Sequence, residues 1–205
     1  MLFKCRVAQS DLLNPDKLAI SVTMSKNLTP FTRFQNRWFF VLLAVYVAYS
    51  MWYMGPGFYG QLAALGSGMP LEERGYYSGA FAVETLSAFS PEGRKTKYLS
   101  LLFDIPYVIM TALILEAMMM FGLLGLKKDR SKWATILGLP IIFLLVDFSE
   151  DSALALTLAS GSEVFGTVAG IMTPLKFTMF SIASLVAIIF SVCGGIALLR
   201  ARLRV

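Results

Sequence analysis

Five acidic side chains and one lysine stand inside or at the edge of long apolar stretches, and their types and spacing are the ones able to do chemistry there. They are Asp104 and Glu116 in one stretch, Asp147, Glu150 and Asp151 in the next, and Lys176 at the opening of the last. An ionisable side chain within a membrane span costs about 2.5–3.5 kcal/mol on insertion scales, so each marks a candidate site. The i, i+3, i+4 spacing of Asp147, Glu150 and Asp151 puts three carboxylates on one helix face. In low dielectric they need a compensating positive charge. Lys176 is the obvious source, with Arg94 or Lys97 reaching down from the turn that leads into the second stretch. Tyr46, Tyr49 and Tyr53 recur at helical spacing and, with Tyr107, add a hydroxyl-bearing stripe to a polar cavity.

Three kinds of chemistry fit that set. Paired acids and bases can act as polar glue between helices. Three carboxylate oxygens on one face suit a hard cation such as Mg²⁺, or a general acid–base pair acting on a lipid or lipid-linked substrate. Glu116, alone near the midplane, offers a second station for a proton or cation, or a hydrogen bond to a neighbouring helix or partner. Other chemistries are excluded. The chain has no histidine, which removes Ser–His–Asp and Cys–His catalysis, histidine relays, and His-ligated haem or zinc. Its two cysteines, Cys5 and Cys193, have no metal-binding spacing. The aspartate-rich motifs of prenyl transferases and alcohol phosphotransferases are absent. No catalytic residue and no metal ligand set is assigned from sequence, and Mg²⁺ at the carboxylates is the one cofactor the pattern admits.

The elements that must position these groups are read from hydropathy. Of 205 residues, 57% are hydrophobic and 15% charged, against about 45–50% and roughly 25% in soluble domains. The mean hydropathy is +0.67. Four apolar segments stand out, Trp38–Met54, Leu99–Leu126, Trp133–Ala159 and Phe177–Leu199. About 20 helical residues cross a hydrocarbon core of about 30 Å. From the helical rise, Asp104 lies about 33 Å from the inner loop, Asp147 to Asp151 about 21–27 Å, and Glu116 about 15 Å. Pro140 is a source of a kink in the third segment, and Met118, Met119 and Met120 supply an adaptable packing surface.

The formal net charge of +5 is concentrated on alternate sides. Lys4, Arg6, Lys17, Lys26, Arg33 and Arg37 precede the first segment. Lys127, Lys128, Arg130 and Lys132 fill the second loop, and Arg200, Arg202 and Arg204 follow the last segment. The outer loop, Gly55 to Tyr98, balances its charges. The positive-inside rule then places both termini in the cytoplasm of a cell (inner) membrane. Basic residues split among short flanks suit anionic lipid headgroups and not nucleic acid.

Within that outer loop, Pro70 to Phe89 reads as a helix along the membrane surface. Ser67 or Gly68 lies near its N-cap, and Glu72 and Glu73 fall in its first turn. Ser90 caps the next helix, with Pro91 at its first position. The tail of residues 1–35 has no apolar h-region and is not a secretory signal, and Met24 is an alternative native start.

Gly93-Arg94 followed by Tyr98, then Asp104 with Pro106-Tyr107, Asp147-x-x-Glu150-Asp151 and Lys176, resembles a pattern in bacterial four-helix membrane proteins of no established activity. Those carry Gly-Arg-x-x-x-Tyr before an Asp-bearing second helix, Asp-x-x-Glu-Asn in the third, and a Lys opening the fourth. The resemblance covers about Pro70 to Arg200. Asp151 stands where the group has Asn, which adds a charge. The resemblance implies the architecture and the cluster, and no activity.

The expectation is an all-α, integral membrane four-helix bundle with an interfacial helix in its first outer loop. It comprises a cytoplasmic tail (1–35) and one transmembrane domain (36–205). The expected binding or structural cluster is Arg94, Asp104, Tyr107, Asp147, Glu150, Asp151 and Lys176, with Glu116 as the midplane acid. Its partners are the lipid bilayer and a membrane protein or a second copy. The leading function is an accessory or interaction protein. A lipid-directed membrane enzyme and an oligomeric transporter of a proton, cation or small solute are the alternatives.

Overall fold

The structure is a computed structural model and describes residues 37–64 and 71–203. The tail of residues 1–35, the start at Met24, Cys5 and the N-cap expected at Ser67 or Gly68 lie outside the described residues. The chain divides into two units, Met1–Val41 and Leu42–Val205. In the first, residues 37–41 are helical, with the Phe39 ring edge-on to Phe40. The second holds the packed helices and the polar side chains between them.

Every described regular element is helical. We label them α1 (residues 37–54), α2 (Phe58–Ala64), α3 (Gly79–Ser87), α4 (Pro91–Gly125), α5 (Ala134–Leu137), α6 (Leu139–Ser160) and α7 (Glu163–Arg202). Short 3-10 turns occupy Leu71–Glu73 and Arg130–Trp133. Among the described residues, three stretches are long and apolar enough to cross a membrane: Arg37–Leu62, Pro91–Gly125 and Glu163–Arg202. α6 has 22 residues, about 33 Å of helix, and is the polar exception because it carries Asp147, Glu150 and Asp151.

Local signals fix most boundaries. The Ser90 hydroxyl accepts from the Gly93 amide at 3.1 Å, and Pro91 occupies the first turn of α4. α6 ends where Gly161 turns left-handed, at φ +66°, a conformation that costs glycine nothing. The Pro70–Phe89 helix is not continuous. A 3-10 turn at Leu71–Glu73 is followed by a bend over residues 74–76, and α3 starts only at Gly79, capped by Ser78 whose hydroxyl accepts from the Phe81 amide. Tyr77, Ala82 and Leu86 are buried against the long helices. Pro140 does not kink a helix interior. It sits in the first turn of α6, just past Gly138, so the third segment breaks into α5 and α6 at that joint.

α7 runs beside both α4 and α6, and α3 packs on α6 and α7. Small residues allow the closest approach. A Cβ on Gly122 would lie 2.3 Å from the Phe190 carbonyl oxygen, so α4 and α7 touch backbone to backbone there. The apolar core has two layers. One gathers Leu71, Tyr77, Leu86, Leu101, Leu154 and Ala169. The other gathers Leu115, Met119, Ala183 and Ala187, with Met118 against it. The methionine run therefore serves packing through Met119, which is fully buried.

Candidate functional site

Between those two layers the same three helices present polar side chains. Along α4, Asp104 falls between Leu101 of one layer and Leu115 of the other. Along α6, Asp147, Glu150 and Asp151 precede Ala153 and Leu154. Along α7, Lys176 falls between Ala169 and Ala183. The i, i+3, i+4 spacing does turn all three acids of α6 inward, since Asp147, Glu150 and Asp151 are all buried and Glu150 is 0% exposed.

Lys176 is the hub of the ion pairs. Its Nζ lies 3.2 Å from Asp147 Oδ1 and contacts Glu150 Oε2. The other Glu150 oxygen accepts from the Thr173 hydroxyl at 2.5 Å. Thr173 is one helical turn before Lys176 and fully buried, so the same face of α7 supplies both groups. The Tyr77 hydroxyl lies 3.5 Å from Thr173. Burial pushes the Tyr77 phenol up to about 12, with the Thr173 hydrogen bond acting in the opposite direction.

A second lysine is committed elsewhere. Lys97, 3% exposed, pairs with Glu72 Oε1 from the 3-10 turn that returns over this end of the helices. Glu72 Oε2 is buried and has no hydrogen-bond partner among the described residues. Glu73 accepts from the Tyr59 hydroxyl.

The remaining carboxylates converge. Oxygens of Asp104, Asp147 and Asp151 all lie within 4.8 Å of one another. They face a cavity of about 300 Å³ whose walls include Tyr53, Tyr59, Tyr107, Phe143, Phe177 and Phe180, with Glu72, Glu73 and Lys176 also on its lining. Among the described residues neither Asp104 nor Asp151 is within ion-pair distance of a lysine or arginine. The cavity thus has more acid than base, and aromatic rings form the rest of its wall.

The tyrosine stripe of α1 anchors that helix to α4. Tyr46 donates to the Tyr107 hydroxyl at 3.2 Å and stacks on its ring. Tyr49 donates to the Phe103 carbonyl at 2.6 Å, and Tyr53 to the Ser100 carbonyl at 3.0 Å. Tyr53 and Tyr107 also face the cavity.

The structure therefore brings together Asp104, Tyr107, Asp147, Glu150, Asp151 and Lys176. Arg94 is not among them. It is exposed, and its guanidinium donates to the Ser87 carbonyl at 3.2 Å, tying the start of α4 to the end of α3. Glu116 also stands apart: it does not line the cavity and lies twelve residues from Asp104 on α4, about 18 Å. Lys97, the other basic candidate, is the one that turns inward. Glu72 and Thr173 were not anticipated as site residues. A usable signal existed for Thr173, because Gly161-Ser162-Glu163 is a helix stop followed by a cap and an acidic first turn. It places the start of α7 thirteen residues before Lys176 and Thr173 within the helix. Comparison with protein-family models, curated proteins and solved structures found no match, so the resemblance to bacterial four-helix proteins rests on its short motifs.

Proposed function

We propose that this chain is a membrane-embedded binding protein that takes a small cationic ligand in the carboxylate cavity. In this reading α1, α4, α6 and α7 form four spans of a cell membrane with both termini in the cytoplasm, and α3 covers the outer end of the bundle. α6 serves as a span despite its acids because they face inward, away from lipid.

The observation that carries the proposal is the unequal division of charge. Lys97 is spent on Glu72 and Lys176 on Asp147 and Glu150, which leaves Asp104, hydrogen-bonded to Tyr53 and Asp147, and Asp151 lining the cavity without a cationic partner. Were both ionised, two carboxylates within 4.8 Å of one another would repel by about 3.5 kcal/mol or more at an effective dielectric of about 20. A positive charge entering between them turns that repulsion into attraction. Structural pairing accounts for Lys176 and, through its hydrogen bonds to Tyr53 and Asp147, in part for Asp104, but it supplies neither Asp104 nor Asp151 with a positive charge. The cavity volume, at the lower bound of small-molecule sites, and its tyrosine and phenylalanine walls favour an organic ammonium group, which aromatic faces and carboxylates recognise together. A specific observation also favours a second reading. Three oxygens within 4.8 Å of one another suit a Mg²⁺ or Mn²⁺ ion that keeps several waters. This reading differs from the expected accessory role, which is packing against a larger membrane protein.

Thermal unfolding of the purified protein in detergent tests both readings, with tetramethylammonium or Mg²⁺ and Mn²⁺ added against sodium at matched ionic strength. A ligand at a hundred times its Kd adds about 2.7 kcal/mol, or about 5–10 °C for a chain of this size. Asp151→Asn should abolish the shift. The cation that stabilises identifies the reading. No shift with any of them, or a shift that Asp151→Asn retains, overturns the proposal.

A further inference from the structure

The opposite end of the helices holds a second concave site. α4 ends in a hydrogen-bonded reversal in which the Lys127 amide donates to the Leu124 carbonyl at 3.1 Å and the Lys128 amide to the Leu123 carbonyl at 3.0 Å. That closure needs a left-handed residue just past the cap, a place glycine usually takes. Here it is Lys127, at φ 53°, the one non-glycine residue with positive φ among the described residues. A side chain is strained in that conformation, and strain of this kind gathers at functional sites.

The side chain held there joins Lys128 and Lys132 around an open groove of about 560 Å³, completed by Asp129, Trp133 and Ile136. All three lysines are exposed, and none forms an ion pair with another described residue. The Trp133 ring packs edge-on against Phe190 of α7, which fixes the apolar wall. On α6, the helix that follows, Ile141, Ile142 and Leu145 are each between 45% and 61% exposed.

We propose that this groove seats the phosphate of an anionic phospholipid. The lysines take the phosphodiester oxygens, Trp133 sits at headgroup level as interfacial aromatic residues do, and the acyl chains run along Ile141, Ile142 and Leu145. Three lysines against one aspartate give the groove the sign an anion needs. The apolar wall beside it separates a lipid from free phosphate, which has no use for that surface.

The test is native mass spectrometry of the full chain incubated with phosphatidylglycerol or phosphatidylcholine, in competition with millimolar inorganic phosphate. Wild type should retain one phosphatidylglycerol in preference to phosphatidylcholine. A lysine near an anionic headgroup contributes about fivefold in affinity, so Lys128→Gln should lower the preference by about that factor, and Lys128→Gln with Lys132→Gln by more. Lys127→Gly is the discriminating variant, because it should lose lipid while raising the melting temperature through relief of the left-handed strain. A structural lysine would not give that combination. Equal retention of both lipids by wild type, or a preference that survives Lys128→Gln and Lys127→Gly alike, overturns the proposal. Displacement of phosphatidylglycerol by inorganic phosphate overturns the lipid assignment in favour of a free phosphate site.

Discussion

Lys176→Met keeps the length and most of the volume of a buried side chain and deletes its charge. The lost attraction can be sized from the structure. The Nζ lies 3.2 Å from Asp147 Oδ1, a separation at which opposite unit charges attract by about 5 kcal/mol at an effective dielectric of about 20. Glu150, on the other side of the same ammonium, loses its counterion as well. Removing one partner of a buried pair costs about 3–5 kcal/mol, since the stranded charge has no water to turn to. For a chain of this size each kcal/mol moves the melting temperature by about 2–4 °C, so the fall should be about 6–20 °C. Thermal unfolding in detergent, followed by circular dichroism, reads it. Adding Asp147→Asn and Glu150→Gln to Lys176→Met removes the stranded charges and should restore most of the loss, because a neutral set replaces a broken ionic one. The Thr173 hydroxyl still finds an oxygen on Gln at position 150. A fall of less than about 3 °C for the single change would place the cost near or below 1 kcal/mol. That result would mean that water reaches all three groups and that Lys176, Asp147 and Glu150 do not form a buried ion pair.

Lys97→Met strands Glu72 in the same way and should cost about 3–5 kcal/mol by the same assay, while loosening the turn at Leu71–Glu73 so that trypsin cuts faster after Arg74. Unchanged cleavage would show that the pair does not hold this turn down. Gly122→Val forces a side chain into the backbone of Phe190 and should destabilise by about 1–3 kcal/mol, whereas the same change at Gly195, where a Cβ meets nothing within 4 Å, should be close to neutral. Equal effects at the two glycines would refute the α4–α7 contact. Tyr77 sets an alkaline limit. Its phenol, near 10 in the unfolded chain, is pushed up to about 12 when folded. The unfolded state therefore loses its proton first, and stability falls as pH rises from about 10 to about 12. Tyr77→Phe should flatten that stretch of the stability–pH curve and leave neutral pH profiles parallel.

What could be read from the residues alone was whatever a single helix decides. The common face of Asp147, Glu150 and Asp151 follows from 3.6 residues per turn, and the Ser90-Pro91 cap from local hydrogen bonding. The stacking of Tyr46 on Tyr107 was legible only in part. Spacing put the tyrosines on one face of α1, but not against a named neighbour. Choosing between Arg94 and Lys97 needed the rotation of α4. Lys97 lies seven residues before Asp104, hence on nearly the same face, while Arg94 lies one turn further out, where the end of α3 offers a carbonyl. Glu72 was invisible as a partner because its approach depends on how a non-helical turn returns across the helix ends. Hydropathy alone started α7 at Phe177. The helix runs fourteen residues further out because Ser162 and Glu163 start it and the buried Ala169 and Gly170 pack it.

The placement of acids on α6 carries a cost that explains the fold around it. A helix with three carboxylates in 22 residues is not among the three apolar candidate spans, and in the proposed four-span reading it is tolerable only if each acid faces protein. α4 and α7, the long apolar helices, are what make that possible, because they pack beside α6 and enclose its polar face between two apolar layers. Had stability alone governed this layer, leucine at Asp147, Glu150 and Asp151 would fill it with less penalty, since buried ion pairs seldom outdo well-packed apolar groups. Lys176 and Thr173 would then have nothing to satisfy. The layer instead keeps four carboxylates facing one lysine and leaves space beside two of them. A stability argument accounts for Asp147, Glu150, Lys176 and Thr173 as a closed set. It leaves Asp104, hydrogen-bonded to Tyr53 and Asp147, and Asp151 beside a cavity with no cationic partner, and in the proposed reading that residue pair is where a bound positive charge would complete the layer.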